Sequence, residues 1–354
     1  MSIQVGILGF AHGHVNFYCT QWQQHPEYEI KVTAGWDHDA ARLETATKSF
    51  DFQACRSEDE LLSRSDVQAV VITAETNRHA DLVEKAAAAG KTIVLQKPLA
   101  LTMPEADRIV DAVNHSGVRF TLAWQMRVDP QNLKMKEILE SGELGKICML
   151  RRRHGLTLHN LPAFLDLWHV KPELNRDIWA DDASHAIDFI YWMLGKPETV
   201  TAEIATFYVP RLANNNGMAI FRYADGPLAE VSCSFTCVAT ENSTEIFGEK
   251  GSIIQNYGDV PSCNVPRPAG APGLKWYLDE RKDWIYSDIG SPALHVDRIS
   301  NLAKPLADFF HGRRAPIATA EEGRMVLRML LATYVSTNEG RRVSINEDSI
   351  MNFR

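Results

Sequence analysis

Residues 6–15 read GILGFAHGHV. They continue an apolar run, Ile3-Gln4-Val5-Gly6-Ile7-Leu8, that has the content of a buried strand, and a helical pattern follows to about Gln24, where His25-Pro26 ends it. A strand, a glycine-bearing turn and a helix in that order can seat a pyrophosphate, because backbone N–H groups and the positive helix end face it. Gly9 can make the tight turn. Ala11 is the smallest substitute where backbone must approach phosphate, and His14 stands where a further glycine would let the helix pack closely. The stretch admits three readings: a drifted dinucleotide loop, a metal site built from His12 and His14, or a plain turn. No third ligand lies near the two histidines in sequence, so they are read as a loop cap and a packing residue, with no metal.

Working outward, strands and helices alternate. Strands are expected at 30–36, 69–72, 92–95 and 119–123, and a helix at 77–89 with Gly90 at its end. Thr102 and Glu105 form a capping box for a helix to about His115, with Pro104 in its first turn and Gly117 as its stop. Such alternation implies a parallel sheet covered on both faces. After Asp129-Pro130 the pattern changes. One helix runs to Ser141-Gly142, and from about Val200 strand-like segments follow one another at 199–209, 217–226, 229–237 and 243–253. The expected fold class is therefore α/β followed by α+β, with an N-terminal parallel sheet at 1–123 and a mainly antiparallel sheet within 124–354. The stretch 258–295, rich in Pro and Gly, reads as long loops, and a helix is expected near 320–338.

Bulk properties narrow the function. A length of 354 residues suggests two domains, and a formal charge of -8 argues against nucleic-acid or anionic-membrane partners. Arg151-Arg152-Arg153 would alternate faces on a strand. Six scattered cysteines form no Cys-x-x-Cys pair and read as structural. The start MSIQVGILGF lacks the features of a signal peptide, and no apolar run has the length of a membrane span, so a cytoplasmic protein is expected.

Three positions carry chemistry. Asp37 follows the second strand, where an acidic residue accepts hydrogen bonds from an adenosine ribose. The next residues are His38, Asp39 and Ala40, with no adjoining arginine, so NAD is expected in preference to NADP. Lys97 closes the strand at 92–95, at the edge where open parallel sheets bind ligands, and a lysine there can hydrogen-bond a substrate hydroxyl. Asp181 and His185 are i and i+4 at the start of a helix that stops at Gly195, a spacing that places carboxylate and imidazole on one face as a general-base pair. Each has a plainer reading as well: a polar strand end, a surface lysine, and a helix cap beside a solvated histidine.

Together these residues resemble the glucose–fructose oxidoreductase, inositol dehydrogenase and rhizopine-catabolism (Gfo/Idh/MocA) family over nearly the whole chain. AGKTIVLQKPLALTMPEA (89–106) resembles the family's Glu-Lys-Pro segment. VDPQNLKMKEILESGELGKI (128–147) resembles the opening of its second domain, and DDASHAIDFIYWMLG (181–195) its Asp-x-Gly-x-His-x-x-Asp helix. TEIFGEKGSI (244–253) and AEEGRMVLRMLLATYVSTNEGRRVSI (320–345) resemble its late sheet and terminal helix.

The resemblance implies a Rossmann domain followed by an open-faced sheet that makes dimers or tetramers. It implies oxidation or reduction of hydroxyl and carbonyl groups of sugars, polyols and their derivatives with NAD(P), and Lys97, Asp181 and His185 as catalytic residues. The expected cofactor contacts are Gly9, Phe10, Ala11, His12, Asp37, His38, Ala74, Glu75, Thr76, His79, Gln96, Lys97 and Gln125. The expected substrate contacts are Trp124, His154, Trp168, Trp179, Asp181 and His185, with His159 and His169 in the same segments. Gln96 departs from the family's glutamate, Ala183 from a glycine of the helix motif, and His14 from the loop. Two other readings stay open: a regulator of the same fold that senses NAD(H) or a sugar without turnover, and a cofactor-free lyase or isomerase.

Overall fold

The computed structural model describes residues 2–239, 242–256, 270, 272–290, 292 and 294–353. The opening run forms β1 (Ile3–Leu8), whose last four residues are buried. It is joined by β2 (Ile30–Trp36), β3 (Gln53–Ala54), β4 (Ala69–Ile72), β5 (Thr92–Leu95) and β6 (Phe120–Leu122). The sheet order is β3-β2-β1-β4-β5-β6 with every pair parallel. β4 is buried throughout (Ala-Val-Val-Ile), as expected of a strand covered on both faces.

The helices of this layer are α1 (His14–Gln24), α2 (Ala40–Phe50), α3 (Glu58–Leu62), α4 (His79–Ala88) and α5 (Met103–Ser116). α5 starts on the expected capping box: Glu105 N–H donates to Thr102 Oγ1, and the Glu105 carboxylate accepts from Thr102 N at 3.0 Å. Asp39 caps α2, accepting from Ala41 N and Arg42 N. That cap fixes where Arg42 emerges.

The chain folds into two units. The first contains the residues up to Gln125, Glu173–Asn175 and Arg298–Leu327, so a late segment returns to the parallel sheet. Leu122 N–H donates to Ala318 O at 2.9 Å and Ile317 N–H to Thr121 Oγ1 at 2.8 Å. Trp22 Nε1 donates to Ala303 O at 2.9 Å, and the Arg119 guanidinium to the carbonyls of Phe309 and Phe310. A single cut at 123/124 therefore describes the first unit incompletely.

In the second unit α6 (Pro130–Ser141) precedes β7 (Ile147–Gly155), and α7 (Ser184–Leu194) packs on β7 and β10. The strands β8 (Thr199–Ala205), β9 (Asn216–Arg222), β10 (Leu228–Ser234), β11 (Ser243–Gly248), β12 (Gly251–Gln255), β13 (Leu274–Leu278), β14 (Asp283–Tyr286) and β15 (Val343–Ser344) complete a sheet of order β14-β13-β12-β11-β7-β10-β9-β8-β15. Its pairs are antiparallel except β7 with β10. Strand alternation separates the three arginines. Arg152 turns inward, 2% exposed, with Nη1 on Thr244 Oγ1 and Gln255 Oε1, while Arg151 turns outward to Glu230 and Glu245.

The expectation of loops over 258–295 is corrected where residues are described. β13 and β14 form a hairpin on β12, because Lys275-Trp276-Tyr277 and Trp284-Ile285 supply strand-forming residues that the Pro and Gly content of the whole stretch obscured. Residues 258–269 of that stretch, with 271, 291 and 293, lie outside the described residues. Among the described residues no helix is long and apolar enough to cross a membrane.

Candidate active site

The first unit assembles its site at the carboxyl ends of β1, β2, β4 and β5. Gly9 has φ +87°, and a Cβ there would lie 2.5 Å from Ala74 Cα, so only glycine fits between the first loop and the segment after β4. His12 N–H donates to Thr73 O at 2.9 Å, holding the same two segments together. This close backbone approach is what a pyrophosphate loop requires, and the residues fit a dinucleotide.

Asp37 is buried and accepts from Phe10 N–H at 2.6 Å, so it ties β2 to the first loop. An arginine does adjoin it, which corrects the sequence expectation. Arg42, on the first turn of α2, places Nη2 2.8 Å from Asp37 Oδ1 and Nη1 2.8 Å from Glu75 Oε1. The expectation considered only chain neighbours, whereas the turn capped by Asp39 brings residue 42 back over residue 37. Burial lowers the Arg42 pKa, but hydrogen bonds and charge from Asp37 and Glu75 outweigh it and leave it raised. His38 lies beside both carboxylates, 3.4 Å from Asp37 and 3.6 Å from Glu75.

His79 is enclosed, with Nδ1 3.0 Å from Pro98 O and Nε2 3.2 Å from Ala74 O. Burial pushes its pKa down to about 4, against the carbonyl oxygens of Ala74, Leu99 and Pro98. Thr76 Oγ1 donates to Asn175 Oδ1 at 2.6 Å. Lys97, 3% exposed, follows β5. Its backbone N–H donates to the side-chain carbonyl of Gln96 at 3.0 Å, and the Gln96 amide reaches His14 Nδ1 and Tyr18 Oη, each at 3.2 Å. Trp124 and Gln125, both buried, follow β6.

The second unit carries the other expected residues. Trp179–Ala183 is a π-helical turn that leads into α7 at Ser184. Asp177 anchors it, accepting from Ala180 N–H at 2.9 Å, Tyr334 Oη at 2.5 Å and Asn214 Nδ2 at 2.7 Å. A π turn closes i→i+5 hydrogen bonds, so residues four apart no longer stack as in an α-helix. His169 Nδ1 lies 2.8 Å from Asp181 Oδ2. His169 in turn stacks on Trp168, ring centroids 4.0 Å apart. Asp182 Oδ1 lies 3.9 Å from His185 Nε2, and the His154 ring lies 6.1 Å from the His185 ring. The spacing argument thus missed His169, whose signal was only its presence in an aromatic, His-rich segment.

Deeper in α7, Asp188 is fully buried and takes a bidentate contact from Arg127. Trp179 is 0% exposed and donates its indole N–H to Thr333 Oγ1 at 3.0 Å. Trp168 and His154 are also buried. Among the described residues no group of three His, Cys, Asp or Glu side chains could hold a metal.

A parallel sheet with a pinched first loop, joined to a mainly antiparallel sheet carrying a buried Asp–His helix, defines a two-domain dinucleotide-dependent class. Residues 3–123 match the oxidoreductase family with an NAD-binding Rossmann fold, and residues 132–254 match the GFO/IDH/MocA C-terminal domain. The chain belongs to the GFO/IDH/MocA oxidoreductase family. It is 24% identical over 304 residues to myo-inositol 2-dehydrogenase of Thermotoga maritima (83% of this chain, 85% of the relative). It is 24% identical over 306 residues to 1,5-anhydro-D-fructose reductase of Ensifer adhaerens (85% and 86%). Levoglucosan dehydrogenase in complex with NADH and levoglucosan has the same fold, with a TM-score of 0.83 at 20% identity over 98% of this chain and 100% of that one.

Proposed function

We propose that this chain is a cytoplasmic, NAD-preferring dehydrogenase or reductase acting on a CH–OH or C=O group of a sugar, polyol or derivative. The observation that carries the reading is Lys97, an amine 3% exposed at the carboxyl end of a parallel sheet of NAD-binding type. Dehydrogenases of inositol and levoglucosan and a reductase of anhydrofructose among its relatives support the substrate class.

The dinucleotide, when bound, supplies the hydride acceptor or donor. Gly9, Phe10 and Ala11 present the backbone of the first loop to it. Lys97 donates a hydrogen bond to the reacting oxygen and favours its ionised form. His185 takes the hydroxyl proton, and Asp181, paired with His169, supplies a fixed negative charge.

The test is turnover with NAD⁺ over a panel of inositols, hexoses and anhydro-sugars, repeated with Lys97→Ala and His185→Ala. Each variant should lose about 10²–10⁴-fold in kcat on the best substrate. Near-wild-type turnover in both would refute the assignment.

We also propose a dimer or tetramer built on the outer sheet face. Strand register lines up Leu228 with Met149, and Ile220 with Glu230 and Arg151, on one exposed surface. Light scattering that finds only monomers would rule this out.

A further inference from the structure

Asp37 occupies the position from which an acidic side chain reads the adenosine ribose, yet its carboxylate has no acceptor position left. Oδ1 accepts from Asp39 N–H at 2.7 Å and Arg42 Nη2 at 2.8 Å, and Oδ2 accepts from Phe10 N–H at 2.6 Å and Arg42 Nε at 3.1 Å. A carboxylate offers about four lone-pair sites, so these four bonds use them all. The donors come from the first loop, the turn after β2 and α2. Asp37 therefore works as a knot that fixes three segments.

Glu75 sits across β1 from it, in the segment after β4. Its side chain is 4% exposed. Oε1 receives Arg42 Nη1 at 2.8 Å, and His38 Nε2 stands 3.6 Å away. Oε2 is buried with no hydrogen-bond partner, and Arg78 Nε is 4.0 Å from it. A buried carboxylate oxygen without a donor is costly, and a hydroxyl arriving from a ligand would relieve that cost. Arg42 holds Glu75 in place through one nitrogen and Asp37 through two, so its charge is already spent on two carboxylates.

We propose that Glu75, strapped by Arg42, is the residue that accepts a hydroxyl of the adenosine ribose and sets the choice of NADH over NADPH, while Asp37 holds the loop. This rests on the NAD-dependent reading above. A ribose hydroxyl donates to Glu75 Oε2. A 2′-phosphate brings only acceptor oxygens and negative charge to the same oxygen, and Arg42 has no uncommitted charge to offset it.

The experiment is calorimetric titration of the full chain with NADH and with NADPH, for wild type, Glu75→Gln and Asp37→Asn, together with thermal melting. Wild type should favour NADH. Glu75→Gln should lower the NADH-to-NADPH affinity ratio by about tenfold or more. Asp37→Asn should lower Tm and weaken both cofactors by a common factor. A ratio that collapses in Asp37→Asn but holds in Glu75→Gln overturns the proposal. If Asp37→Asn does not fold, an unchanged ratio in Glu75→Gln overturns it alone. Equal wild-type affinity for both cofactors removes the proposal and leaves the NAD(P)-dependent reading intact; wild-type binding of neither removes both.

Discussion

Gln96 Nε2 lies 3.2 Å from His14 Nδ1. Both residues are departures from the pattern the chain resembles, and the contact brings the two together. An amide brings no charge to His14, whereas a carboxylate at the same place would favour the imidazolium. The substitution Gln96→Glu should therefore raise the His14 pKa, read from its ring protons in an NMR titration. An unchanged titration would show that the two side chains do not interact in solution.

His79 predicts a pH dependence of stability. Its folded pKa is pushed down to about 4 by burial, below its ordinary 6.5. Above 6.5 it is neutral in both folded and unfolded chains and the fold keeps its full stability. As pH falls below 6.5 the unfolded chain takes up a proton that the folded chain refuses, so stability is lost progressively toward pH 4. Between pH 7.5 and 5.0 the loss should be about 2 kcal/mol. Comparing urea midpoints at these two values for wild type and His79→Gln checks it, since the variant should lose that component of the slope.

The Asp181–His169 contact makes His169 a positioning residue for the proposed reaction. His169→Gln should lower kcat by about tenfold with a smaller change in KM, and should alter the pH profile of kcat, because a titratable imidazole on Asp181 is replaced by an amide that does not titrate. A profile and kcat equal to wild type would remove His169 from the mechanism.

Arg127 and Asp188 form a buried ion pair, 3% and 0% exposed at the side chain. Removing one partner leaves the other charge in the interior. Arg127→Met should cost about 3–5 kcal/mol in urea unfolding, and the double change Arg127→Met with Asp188→Leu should recover much of it. Equal losses in the single and double variants would contradict this account.

Much of the first unit was legible because its signals are local. The apolar β4 run, the Thr102–Glu105 box and Gly117 each act within a few residues. The features that escaped depend on geometry across turns. Arg42 reaches Asp37 only because Asp39 caps α2 at that angle, and chain adjacency does not encode the angle. Asp181 and His185 fit an α-helical spacing, but the backbone from Trp179 to Ala183 takes a wider turn. No periodicity argument distinguishes the two, because the extra residue is accommodated by tertiary anchors such as Tyr334 on Asp177. The β13–β14 hairpin was lost by averaging composition over too long a stretch.

The return of Arg298–Leu327 to the parallel sheet bears on how the molecule is made. β6 needs Ala318 for a backbone partner and α1 needs Ala303 for its tryptophan, and both lie almost two hundred residues or more downstream. A ribosome releasing this chain from its N-terminus must emit most of the second unit before the first can close. The early strands wait in an incomplete state that late translation finishes, so a nascent chain stalled before residue 298 would be the form most in need of a chaperone.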